Sequence, residues 1–174
     1  MSTEMKVPSV SELAQPNSVS EESVSERIEI IKRAMEPVTK HISVTENGIT
    51  KVVVVERRGV GPLITKHGKF WEFEFALNDN WETYSAIVKA DFDIDSLTPR
   101  FANRKKLILR IDSGCKTGQL FGDLTCECAN QLELVMKILA KNKNGLIISI
   151  PKQDGRGKGI SFKLASLWLQ EDFG

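Results

Sequence analysis

Three cysteines, Cys115, Cys126 and Cys128, are the chain's full complement, and they lie together at Cys-x10-Cys-x-Cys spacing. An odd set of thiols cannot close into disulfides without leaving one over. Three thiolates can hold a Zn2+ ion and leave its fourth tetrahedral position open to water or substrate. That is the arrangement of a catalytic zinc rather than of a closed structural one. Three partly buried free thiols in a reducing cytosol fit the same spacing, because Cys-x-Cys is a short and loosely diagnostic pair.

A second chemistry-bearing stretch is Gln153-Asp-Gly-Arg-Gly-Lys-Gly159. Its glycines let backbone approach a ligand closely and present amide N–H groups as an anion-binding concavity, next to the positive end of the helix that follows. Arg156 can fork onto a phosphate and Lys158 can add a point charge. A Walker loop is absent, and a glycine turn with solvated charges accounts for the same residues. Asp112, Asp123, Glu127 and Asp154 flank the two stretches as candidate general bases or as solvated carboxylates. The two histidines, His41 and His67, lie far upstream and lack zincin spacing. The basic run Arg100–Arg110 is short and has no interleaved stacking aromatics, so it argues for no nucleic-acid partner.

The elements that must position these residues are legible by period. Residues 1–22 are rich in Ser, Glu, Pro and Asn, and read as a disordered tail. Over 23–45 a capping box at Ser23–Glu26 opens a helix with Ile28, Ile31 and Met35 on one face; Pro37 stops it and a linker follows. The helix can pack on the domain or on a second copy, which leaves a homodimer open. Val52–Val55, then Trp71, Phe73 and Phe75, then Tyr84, Ala86 and Val88 read as strands. Leu107, Leu109 and Ile111 make a strand that delivers Cys115, with Arg110 projecting opposite its apolar neighbours. A helix carrying Leu132, Val135, Met136 and Leu139 ends near Gly145, Leu146–Ile150 is a buried strand, and a final helix carries Ile160, Leu164, Leu167 and Trp168. A meander of strands followed by alternating strands and helices predicts an α+β fold, a mixed or antiparallel sheet with helices packed against it.

The chain of 174 residues is long enough for a real core, and its net charge of +1 steers it toward neither nucleic acid nor membrane. No apolar run nears the ~20 residues needed to span a bilayer, and the N-terminus has no signal-like apolar region. The expected compartment is cytoplasmic.

Arg110-Ile-Asp-Ser-Gly-Cys115-Lys-Thr-Gly, then Cys126-Glu-Cys128-Ala-Asn-Gln131-Leu, then Gln153-Asp-Gly-Arg-Gly resemble in order and spacing the GTP cyclohydrolase II family of riboflavin biosynthesis. The family pattern runs Arg-x-His-Ser-Glu-Cys-x-Thr-Gly-Asp, Cys-Asp-Cys-Gly-x-Gln-Leu and Gln-Glu-Gly-Arg-Gly-x-Gly, and the resemblance covers roughly residues 59–174. It implies that 46–174 is a zinc and nucleotide domain that opens the guanine imidazole ring of GTP hydrolytically, releasing formate and pyrophosphate. Cys115, Cys126 and Cys128 would then be the Zn2+ ligands. Arg110, Ser113, Gln131, Asp154, Gly155 and Arg156 would contact GTP or a related purine nucleotide, with Mg2+ on the triphosphate left open.

The resemblance also has departures. The family's His and Glu before the first cysteine are Asp112 and Gly114 here, its Asp after Thr-Gly is Gln119, and its Arg before the second cysteine is Thr125. The tyrosine of the final helix is Leu167. The family's acid/base aspartate and its arginine would fall after Gly174, which predicts a fragment or a shortened relative lacking the C-terminal part of the domain. Two functions are therefore expected: a GTP cyclohydrolase II-type hydrolase, or a catalytically impaired zinc- and nucleotide-binding pseudoenzyme or regulatory module of the same fold.

Overall fold

A computed structural model of the chain describes residues 21–78, 80–151, 153 and 157–173. The tail expected over 1–22 lies outside the described residues up to position 20. Two units are distinguished, 1–33 and 34–174.

Helix α1 (Glu21–Met35), in the first unit as far as Arg33, begins two residues before the expected capping box, so Ser23 sits inside it. Its apolar stripe Val24, Ile28, Ile31 and Met35 is exposed. In the second, a six-stranded sheet has the order β1-β2-β3-β4-β8-β7. Strands β1 (Val38–Glu46), β2 (Ile49–Thr65), β3 (Gly68–Leu77) and β4 (Thr83–Lys89) form an antiparallel meander. The stretch read as linker up to residue 45 is therefore strand β1. It is exposed along its whole length, so no buried face marks it in the sequence, and pairing with β2 fixes its state. A bulge between Arg57 and Gly59 carries the long strand β2 past its glycines.

A short hairpin of β5 (Asp91–Asp93) and β6 (Thr98–Arg100) lies beside the sheet and stacks Phe92 on Trp71 at 3.6 Å. The chain then enters β7 (Ile108–Asp112), a π-type turn (Lys116–Leu120), α2 (Cys128–Asn142), β8 (Gly145–Ser149) and α3 (Ile160–Phe173). Strand β8 pairs antiparallel with β4 and parallel with β7, and α2 makes the crossover. The fold is thus α+β with a mixed sheet.

The core explains why α2 sits where it does. Val135 and Leu139 on its inner face meet Phe70 of β3 and Ile147 of β8, with Leu63, Ile87, Ile108, Leu132 and Met136 around them. Phe70, Leu139 and Ile147 are fully buried, each contributing about 1.5–3 kcal/mol of apolar transfer. Gly145 is part of this packing rather than a helix cap. A Cβ there would lie 2.4 Å from the Ile108 carbonyl oxygen and 2.5 Å from Leu139. The left-handed residue that ends α2 is Lys143, whose N–H bonds the Leu139 carbonyl. On α3, by contrast, Leu164 and Trp168 of the expected apolar face are exposed.

Candidate metal centre

Strand β7 ends at Asp112 and passes its chain through Gly114 to Cys115. Gly114 takes φ +57, and a Cβ there would come 3.2 Å from the Ile150 carbonyl oxygen, so glycine passes without the strain and crowding a side chain would bring. The carboxylate of Asp112, 3% exposed, accepts the Gly114 N–H at 2.9 Å and the Gln119 side-chain amide at 2.8 Å. One buried side chain thereby holds both flanks of Cys115. Gln119 N–H bonds the Cys115 carbonyl at 2.9 Å, Phe121 N–H that of Lys116 at 3.3 Å, and Asp123 N–H that of Thr117 at 3.0 Å. This widened turn brings the chain back toward Cys126 and Cys128, the latter the first residue of α2.

The three sulfurs converge. They lie within 4.8 Å of one another, with Cys115 and Cys126 Sγ 3.6 Å apart. Sulfurs each about 2.3 Å from one tetrahedral ion would stand about 3.8 Å apart, so the donor set fits Zn2+. The cradle is close-built as well. A Cβ on Gly118 would lie 2.7 Å from Cys126 Sγ, leaving room under the sulfurs only for glycine.

Other polar groups complete the centre. Lys163 of α3 donates to Cys115 Sγ at 2.8 Å and to Cys126 Sγ at 3.3 Å. Thr117 Oγ1 is 3.6 Å from Cys115 Sγ, and Ser113 Oγ is 3.8 Å from Cys128 Sγ. Burial pushes the Cys115 thiol up, but the Lys163 ammonium, the Gly118 N–H, Thr117 and Cys126 outweigh it and bring it down from 9.0 to about 7. Burial raises Cys128, and its cysteine neighbours raise it further against Ser113, to about 11. Burial opposes the charge on Lys163, yet its bonds to the thiolates more than offset this and hold the ammonium charged.

Beside the sulfurs opens a cleft of about 520 Å³, lined among others by Glu127, Gln131, Phe162, Ser166, Leu167 and Gln170. Arg110 Nη2 donates to Gln131 Oε1 at 2.6 Å, so these two expected nucleotide contacts meet across β7 and α2. Ser113 stands by the sulfurs. Asp154, Gly155 and Arg156 lie outside the described residues. Beyond them Gly157 and Gly159 take φ +82 and +89 before α3 begins. Lys163 was missed from sequence, where a single helical lysine reads as solvated. Its one signal is spacing: Lys163, Ser166, Leu167 and Gln170 fall at i, i+3, i+4 and i+7, one face of α3, and all line the cleft.

Fold and site together define an α+β domain with a thiol-bordered cleft fit for a metal ion. Residues 56–174 match the GTP cyclohydrolase II family model, and the chain belongs to that family. It is 30% identical over 134 residues to "GTP cyclohydrolase-2" of Streptomyces coelicolor, covering 77% of this chain and 56% of that protein. It is 33% identical over 120 residues to the "Probable bifunctional riboflavin biosynthesis protein RIBA 1, chloroplastic" of Oryza sativa subsp. japonica, covering 68% and 20%. "Riboflavin biosynthesis protein RibBA" of Parabacteroides distasonis is 30% identical over 130 residues, covering 75% and 27%. The chain thus spans between about a fifth and just over half of these relatives. Among the described residues, no helix is long and apolar enough to cross a membrane.

Proposed function

We propose that the chain binds Zn2+ through Cys115, Cys126 and Cys128 and takes GTP or a related purine nucleotide in the adjoining cleft, for hydrolytic opening of the guanine imidazole ring. The observation that carries this reading is the convergence of three sulfurs within 4.8 Å at the border of a 520 Å³ cleft. A Zn2+ ion held there supplies a Lewis acid and water of lowered pKa. The protein's own groups do the rest. Gln131, fixed by Arg110, presents hydrogen-bonding capacity to the purine side. Ser113 stands ready to donate toward a ligand oxygen beside the sulfurs. Arg156 binds phosphate, and Asp154 and Gly155 contact the nucleotide.

One feature favours a second reading, a zinc- and nucleotide-binding domain of little turnover. The cleft wall carries Leu167 where the family has a tyrosine, so that position offers no hydroxyl to a proton transfer. Metal analysis, calorimetric titration with GTP and an assay for released formate separate the cases. One zinc, GTP binding and formate release support the hydrolase. Zinc and GTP binding without formate support the second reading, and absence of zinc from carefully purified protein overturns both. Arg156→Ala is expected to weaken GTP binding by about 1.5–3 kcal/mol, the scale of a charge-assisted contact. Unchanged affinity would remove Arg156 from the phosphate site.

A further inference from the structure

We propose that Lys163 is a positioning residue of the thiol centre, an outer partner that bonds Cys115 and Cys126 from α3 and on which the affinity of the centre for its metal depends. The inference rests on the reading of the three cysteines as a zinc site. Its basis is that one ammonium reaches two sulfurs at once, at 2.8 and 3.3 Å, from an element separate from those carrying the cysteines. Three thiolates around a divalent ion leave a formal charge of −1, and one ammonium brings the assembly to neutrality. Asp123 lies nearby: its Oδ1 accepts both donors of Thr125, and those bonds first, then the Lys163 charge, lower its carboxyl pKa. Lys163 therefore stands amid anionic groups rather than in solvent.

The lysine also holds α3 against the centre. Phe162, Leu164, Trp168 and Leu169 of that helix are 48–72% exposed, so apolar packing secures it weakly. Outer partners of metal ligands commonly account for a 10–100-fold difference in affinity, because they orient the ligand and set its basicity.

The test uses the full 174-residue protein with Lys163→Met, which keeps the stem and removes the donors, and Lys163→Arg, which restores a cationic donor. Zn2+ affinity is read by competition with a chromophoric chelator. Lys163→Met is expected to bind Zn2+ about 10–100-fold more weakly than the parent, with Lys163→Arg recovering most of the loss. In Co2+-loaded protein the sulfur-to-metal absorption of Lys163→Met should move to longer wavelength, since a thiolate freed of N–H···S bonds gives up electrons more readily. Zn2+ binding by Lys163→Met as tight as the parent's, or tighter, overturns the proposal, for the ammonium then merely occupies the place of a cation. No zinc in the parent itself is a different failure, that of the zinc reading. Should Lys163→Met not fold, amine acetylation of the Zn2+-loaded parent decides. Lys163 should react far more slowly than exposed Lys105, and equal rates sink the idea.

Discussion

The cleft has two walls built on opposite principles. One, made by β7, the π-type turn and the start of α2, is fixed several times over. Asp112 binds on both sides of Cys115, Gly118 lies against Cys126, and α2 is seated by Leu139 in the core. The other wall, α3, presents Lys163, Ser166, Leu167 and Gln170 to the cleft and leaves much of its apolar surface open. Metal ligands need positions held to a fraction of an ångström, which a packed and hydrogen-bonded frame supplies. A wall that admits and releases a ligand gains from fewer contacts. The departures from the family follow the same division. Asp112 and Gln119, two of them, bond each other at 2.8 Å. Acceptor and donor stand at 112 and 119, so these two departures satisfy each other. Leu167 has no such compensation.

The largest expected effects fall on the fixed wall. Changing any of Cys115, Cys126 or Cys128 to Ser should take bound zinc to background, since a weaker oxygen donor replaces one of three thiolates. Stoichiometric zinc in any of the three variants would remove that residue from the ligand set. Gly118→Ala should act nearly as strongly without replacing a ligand, because its Cβ must displace Cys126 Sγ from 2.7 Å. Zinc content and melting temperature both measure it, and parental values for both would show that the turn relaxes freely.

A smaller loss follows from Asp112→Ala. It strands the half-buried Gly114 N–H and Gln119 amide, so the loss should fall toward the low end of about 1–3 kcal/mol for each group left unpaired. Denaturant unfolding reads this, and a double change with Gln119→Leu separates the two halves. If the pair acts as a unit, the double variant should lose less than the sum of the single changes. Strict additivity would dissolve it.

Much of this frame could be read from residue order. The 3.6-residue period of α2 survives in the fold, because one face of it is buried and burial writes a period into the sequence. Strand β3, expected to bury the alternating set Trp71, Phe73 and Phe75, also buries Phe70 and Ala76 on its opposite face, since α2 covers one side of the sheet and Phe92 of the short hairpin stacks on the other. Elements without a buried face left no such trace. Strand β1 is exposed throughout, and β5 and β6 are three residues each, too short to show a period. The sulfurs were visible as a spacing, but their convergence depends on Gly118 and on the turn. Lys163 meets Cys115 across 48 residues of chain, a contact that no local pattern encodes.

The mildest prediction concerns how the fixed wall is moored to the sheet. On the outer side of α2, Glu133 receives Lys66 Nζ at 2.7 Å, His67 Nε2 at 3.1 Å and Lys137 Nζ at 3.1 Å, the first two from the β2–β3 turn. Lys66 and then His67 beside it, with Lys137 helping against burial, hold its carboxyl at about 2 rather than 4.5. A carboxylate with a depressed pKa adds stability that is fully present above its unfolded value of 4.5 and disappears as pH falls through 2. The parent's melting temperature should therefore fall more steeply between these values than that of Glu133→Gln, with only a small difference between the two proteins at neutral pH, since the cluster is partly open to solvent. Parallel melting curves for parent and variant down to pH 2 would mean that the cluster is not a mooring, and that core packing alone seats the wall bearing Cys128.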